Sequence, residues 1–198
     1  MWLVDLGEGK YMGLAVHKQS GNLYYADHAK GGLWRTDASG LEVFNLAPNI
    51  TDPLDVAIFD LGNSTAFIFV TSNTEGRIYR TSVDGRWIEV WKEVPGVKGV
   101  DCSVKTGYVY WTAGGAVYRS NIDGDDVETL GTGFDDVQDV TVKPGNEGGD
   151  GVMFVTDAGS NTIYAYEDAS GSTTGGTSTG TALVQLDSPR TVCLRTKK

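Results

Sequence analysis

The stretch GYVYWTAGGAVYRSNIDG, Gly107 to Gly124, decides the fold. It holds two short runs of strand-favouring residues, YVYWTA and AVYRS, each bounded by Gly, Asn or Asp, the residues that end strands and make turns. The same order of words recurs along the chain at about 40 to 45 residues, the spacing of propeller blades. GLAV, NLYYAD, GLWRTDASG and EVFNL form one copy. DVAI, AFIFVTS, RIYRTSVDG and IEVW form the second, and DCSV, YVYWTA, AVYRSNIDG and VETL the third. DVTV, VMFVTD, TIYAYEDASG and ALVQL form the fourth, while TVCL opens a fifth and the N-terminal WLVDL matches the last word of a copy.

No segment carries a helical period. The second word of each copy is almost continuously apolar, as in a strand covered on both faces. The first word mixes bulky Leu14, Val16, Val56, Ile58, Val140 and Val142 with small Ala15, Ala57, Ser103, Thr141 and Cys193, which suits a wedge narrowing toward an axis. The reading is an all-β chain: a β-propeller with four complete four-stranded blades plus a split partial blade made from Trp2–Leu6 and Val192–Leu194. The alternative is a fragment of a six-bladed propeller.

The 198 residues, 40% of them hydrophobic, suffice for one core, so a single domain over residues 1–198 is expected, with a flexible Gly/Ser/Thr loop at 168–181. Sixteen basic against twenty-six acidic residues give a net charge of −10, which argues against nucleic acid as a partner. Membrane insertion is not expected, because no apolar run approaches spanning length, and MWLVDLGEGKYMG is not a signal peptide. Cys102 and Cys193 lie in strand-like runs and read as buried thiols. Asn49 and Asn63 head N-x-S/T triplets, glycan acceptors if the chain is secreted. The compartment stays open.

YYAD (Tyr24–Asp27), YWTA (Tyr110–Ala113) and FVTD (Phe154–Asp157) resemble the YWTD repeat of the low-density-lipoprotein receptor class B propellers, as do LWRTDASG, IYRTSVDG and VYRSNIDG. The resemblance covers nearly the whole chain, and related six-bladed families (NHL repeats and the TolB-like, gluconolactonase-like and virginiamycin lyase-like groups) share its dialect. It implies an extracellular, non-catalytic binding or scaffold module that takes a protein ligand on one propeller face. Tyr110 and Trp111 then fill space between blades, and Arg35, Arg80 and Arg119 form a repeated interblade ion pair or surface hydrogen bond.

Chemistry is sparse. The two histidines, His17 and His28, lie near no GxSxG nucleophile motif. GEGKYMG lacks the GK[ST] ending of a phosphate loop, and DGDD at Asp123–Asp126 reads as a turn. The column in which gluconolactonase-like enzymes place Asn holds Met12, Leu54, Val100, Gln138 and Arg190. A metal-dependent, lactonase-like hydrolase or lyase at the central channel is therefore the second reading. Asp55, Asp101 and Asp139 stand where the family writes Gly at the start of the first strand, against Gly13 and Thr191 in the flanking copies. Either each caps its own turn, or the three face one another at the channel mouth and hold a calcium ion or a partner's cationic side chain. The incomplete blade, with an open strand edge, also suggests a homodimer.

Overall fold

The computed structural model describes residues 8–62, 65–143, 151–167, 181–186 and 189–191. Every regular element among them is a strand, and the strands form four antiparallel sheets of four. Blade 1 is β1 (Tyr11–Val16), β2 (Leu23–Asp27), β3 (Leu33–Thr36) and β4 (Val43–Ala47). Blade 2 is β5 (Pro53–Gly62), β6 (Thr65–Ser72), β7 (Arg77–Ser82) and β8 (Ile88–Glu93). Blade 3 is β9 (Val97–Ser103), β10 (Tyr108–Ala113), β11 (Ala116–Asn121) and β12 (Glu128–Thr132). Blade 4 is β13 (Val137–Lys143), β14 (Val152–Asp157), β15 (Thr162–Glu167) and β16 (Thr181–Gln185). Strands follow one another in sheet order, as short turns between antiparallel neighbours dictate. Trp2–Leu6, Val192–Leu194, Cys193, Asn63 and residues 168–180 lie outside the described residues, and Thr181, expected in the loop, opens β16.

The chain divides into two compact units, Met1–Val97 and Lys98–Lys198. In the first, Tyr24, Ala26, Leu33 and Ile50 of blade 1 pack on Val56, Ile68 and Val70 of blade 2. In the second, Tyr110 and Val117 of blade 3 pack with Val137, Val140, Met153, Val155 and Tyr166 of blade 4. One face of β2 and one face of β10 thus fill the gap to the next blade of their own unit, and the nearly all-apolar second words are the sequence trace of it. Tyr110 and Trp111 are both buried, the latter stacked on its cross-strand partner Tyr118 with centroids 5.8 Å apart. Blade 1 builds the same pair with the rings exchanged, Tyr25 on Trp34.

A bulge opens the first strand in blades 1, 2 and 4, between Tyr11 and Leu14, Pro53 and Asp55, and Val137 and Asp139. A bulge turns an amide away from its ladder partner, and a buried amide needs another acceptor. In blades 2 and 4 the threonine of the second word supplies it, and in blade 3 the corresponding threonine serves the Gly99 amide. Thr71 Oγ1 accepts from Asp55 N (3.1 Å), Thr112 Oγ1 from Gly99 N (2.9 Å) and Thr156 Oγ1 from Asp139 N (3.0 Å). Two of these hydroxyls also donate onward, Thr112 to the Gln138 carbonyl and Thr156 to that of Arg190, each at 3.2 Å. All three threonines are fully buried.

These bonds fix which residues are equivalent and correct the alignment of the first words. Gly13, Asp55, Gly99 and Asp139 occupy one position, and Asp101 lies two residues further along, where the other blades carry Ala15, Ala57 and Thr141. The two glycines are there for room. A Cβ on Gly13 would come within 2.4 Å of Asp55 Cα, and one on Gly99 within 2.7 Å of Asp139 Cα.

Thr112→Val keeps the shape but orphans the Gly99 amide and a hydrogen bond to Gln138. A loss of roughly 1–3 kcal/mol is expected in urea unfolding, and an unchanged midpoint would refute this role for the hydroxyl.

Candidate functional site

The end of the blades that carries the β2–β3 and β4–β5 connections holds a polar constellation in the first unit. Asp52, at φ 50°, sits in the left-handed region that Asp tolerates better than most residues. One of its oxygens contacts His28 Nδ1, and the other accepts from Thr74 Oγ1. Beside it the Glu75 carboxylate accepts from Thr51 N (2.5 Å) and the Tyr79 hydroxyl, with Arg77 Nη1 at 3.8 Å. Arg77 Nε also bonds Glu93 (3.0 Å), and Ser72 Oγ donates to the Thr51 carbonyl. Burial acts to raise the Glu75 carboxyl, but the hydrogen bonds from Tyr79 and Thr51 and the Arg77 charge outweigh it and hold it below the usual range. Burial, then the bond to Glu75, raises the Tyr79 phenol. Three connections, β2–β3, β4–β5 and β6–β7, are thereby brought together with the start of β7 and the end of β8. The residues involved come from different turns with no period, so no sequence signal joined them.

In the second unit the same end of the blades is organised by Asp157, the last letter of FVTD. Its buried carboxylate accepts from Asp136 N (2.7 Å), Asp135 N (3.1 Å), Gly159 N (3.1 Å) and Ser160 Oγ (2.8 Å). It therefore caps its own turn and ties down the connection leading into β13. Asp27 caps only its own turn, through Ala29 N and Lys30 N.

Asp55, Asp101 and Asp139 are all engaged with backbone. Asp55 Oδ1 accepts from Val56 N and Asp139 Oδ1 from Val140 N, each at 2.8 Å. Asp101 accepts from Cys102 N (2.7 Å), Val142 N (2.7 Å) and Thr141 Oγ1 (3.1 Å), so it joins β9 to β13. Burial raises the Asp101 carboxyl against the pull of those three bonds. Among the described residues no three His, Cys, Asp or Glu side chains form a group that could hold a metal ion. Cys102 is a free thiol and only half-buried as a residue; burial first, then the Asp101 charge, keeps its thiol well above the ordinary range.

Arg80 and Arg119 each pair with an acid of their own blade, where an interblade ion pair was expected, and the register shows why. Arg80 faces Glu89 and Arg119 faces Glu128 across adjacent strands. Arg80 Nη2 lies 2.6 Å from Glu89 Oε1, and Arg119 Nη2 2.7 Å from Glu128 Oε2. Arg119 is itself buried, with its guanidinium 4.2 Å from the Tyr108 ring centroid. Opposite Arg35 the acid is replaced by Phe44, and the guanidinium stacks on that ring at 5.0 Å. The signal was present, because each partner lies nine residues after its arginine.

At the opposite end of the blades, His17 Nδ1 bonds Ser20 Oγ (2.8 Å) and its Nε2 lies 3.5 Å from Asp60 Oδ2. Ser20 Oγ also accepts from Asn22 N (3.2 Å), which locks the β1–β2 turn. Asn49, the glycan candidate among the described residues, is exposed.

The fold is that of a β-propeller. No family model matches the sequence, and no curated protein matches it. Similar solved structures include the nidogen/laminin complex (TM-score 0.62, 17% identity, 81% of this chain and 77% of that one). An auxiliary nutrient binding protein from Bacteroides thetaiotaomicron is also similar (TM-score 0.68, 14% identity, 93% of this chain and 44% of that one). So is a putative TolB from Agrobacterium tumefaciens (TM-score 0.66, 14% identity, 90% and 67%). The chain thus spans less than half of the nutrient binding protein.

Asp157 lends itself to a pH test. Burial works to raise its carboxyl, yet the bonds from Asp136 N, Ser160 and Asp135 N prevail and lower it. A lowered folded value means stability that is present above about pH 4, the ordinary Asp value, and lost as pH falls through the folded one. Asp157→Asn should cost about 2–4 kcal/mol at pH 7, with the gap to wild type narrowing in urea melts at pH 3. A gap independent of pH would contradict this.

Proposed function

We propose that the chain is a non-catalytic binding module that engages a protein ligand through the loops at the β2–β3 end of its blades. One observation carries the reading: Asp52 meets His28 and Thr74, and Glu75 meets Tyr79 and Arg77, so that two neighbouring polar groups form a partly exposed surface that is largely ordered before any ligand arrives. Pre-ordered side chains lower the entropy cost of association, and loops on a rigid scaffold are where propellers can vary recognition. The similar nidogen and nutrient-binding structures are in keeping with such a role.

The test is an array of extracellular proteins and polysaccharides probed with wild type and two charge reversals. Arg77→Glu should weaken capture of a ligand at least tenfold, whereas Lys105→Glu, in the β9–β10 turn at the other end of its blade, should leave it unchanged. Absence of any ligand, or indifference to Arg77→Glu, contradicts the proposal.

The hydrolase reading rests on a metal at the aspartates of the central channel. Wild type should show no turnover of lactones or esters with or without calcium, magnesium or manganese. Because Asp101 already accepts three hydrogen bonds, calcium titration by calorimetry should give equal heats for wild type and Asp101→Asn. Metal-dependent turnover, or heat lost in the variant, would restore the channel site.

A further inference from the structure

His17 and His28, both in the first unit, meet carboxylates in opposite senses. His17 lies against Asp60 through Nε2 (3.5 Å) and bonds Ser20 Oγ through Nδ1 (2.8 Å), and with the residue 7% exposed both ring nitrogens are spent inside the fold. His28 meets Asp52 through Nδ1, an atom closed off from solvent, while its side chain as a whole is 26% exposed. Lone pairs on nitrogen and carboxylate oxygen would repel at such a contact, so the proton of the neutral ring sits on Nδ1 and Nε2 keeps a bare lone pair. Among the described residues no group bonds that nitrogen.

The carboxylate behind the ring is held at a cost in backbone conformation. Asp52 stands at φ 50°, three residues before Asp55, and the corresponding residue of blade 3, three before Gly99, is Gly96 at φ 75°. Glycine takes that conformation freely, whereas a side chain there is strained and calls for a reason. The carboxylate supplies it: one oxygen meets His28 and the other accepts from Thr74 Oγ1, which fixes the carboxylate and through it the ring. In blade 2 the place of His28 is taken by Asn73, whose Nδ2 donates to the Val97 carbonyl (2.9 Å) and so serves the fold. His28 Nε2 has no such duty among the described residues.

We propose that the Asp52–His28 pair is a binding site in which Nε2 accepts a hydrogen bond from an N–H or O–H group of the protein ligand, with Asp52 as its positioning residue. This rests on the reading of the β2–β3 end as the ligand-binding surface and names the atom that the ligand meets there.

Nitrogen-15 NMR of the imidazoles at about pH 8, above the ordinary imidazole range, tests the pair without a ligand. His28 should carry its proton on Nδ1 and His17 on Nε2. Asp52→Gly, a residue the same backbone position accepts in blade 3, should return His28 to the tautomer mixture of a free imidazole and leave His17 unchanged. Diethyl pyrocarbonate supplies a second readout: the bare nitrogen attacks a carbonyl carbon and gains an ethoxycarbonyl group, the ring proton leaves, and ethanol and carbon dioxide are released. It should label His28 and spare His17. A protein captured by wild type should shield His28 from the reagent, and His28→Phe should weaken its capture by about tenfold, one hydrogen bond's worth. A proton on Nε2 of His28, a tautomer unmoved in Asp52→Gly, labelling of His17 as fast as that of His28, or a bound protein that leaves His28 open to the reagent would overturn the proposal. The tautomer and labelling readouts need no ligand, whereas the Arg77→Glu comparison judges the surface as a whole, so the two readings fail separately.

Discussion

The first-strand amide held by the threonine hydroxyl in blades 2, 3 and 4 is the constraint on which the rest depends. A narrowing blade needs a first-strand bulge, because it bends and twists the strand where neighbouring blades crowd. The bulge leaves a buried donor that would cost about 1–3 kcal/mol unmet. Thr71, Thr112 and Thr156 answer it with one hydroxyl each, and two of those hydroxyls continue to the next segment's carbonyl. The threonine of the repeated word is thus a joint, while the aromatic residues before it are packing.

Alternate blades share more than neighbours do. Blades 1 and 3 open on Gly13 and Gly99 and carry a stacked Tyr–Trp pair, whereas blades 2 and 4 open on Asp55 and Asp139 and place Val70 and Val155 where the others have a ring. Each glycine lies against the aspartate of the following blade, since a side chain on both strands would collide. The two compact units each contain one blade of either kind. A two-blade module, used twice, describes the chain better than a single repeat used four times.

The strand words and the propeller class were legible because burial on both faces leaves near-continuous apolar runs and turns demand Gly, Asp or Asn. Tyr110 and Trp111 proved to be packing for the same reason. The position of Asp101 was not legible from the letter Asp alone. Apolar spacing would have found it: Val97-Lys98-Gly99-Val100 parallels Val137-Gln138-Asp139-Val140, with Asp101 beyond. The arginine partners were legible too, in the fixed offset to Glu89 and Glu128, but identifying them as intrablade required the hairpin register. The His28–Asp52–Glu75 patch left no trace, because loop residues that meet only after folding share neither period nor spacing.

Native-state hydrogen exchange at the amides of Asp55, Gly99 and Asp139 tests the central claim most directly. None of the three needs a backbone acceptor if the threonine hydroxyl holds it, so each should exchange as slowly as the mid-strand amides of β6, β10 and β14. Exchange at the rate of the exposed turns would show that the hydroxyls do not hold these amides, and the account of how the blades are joined would fail.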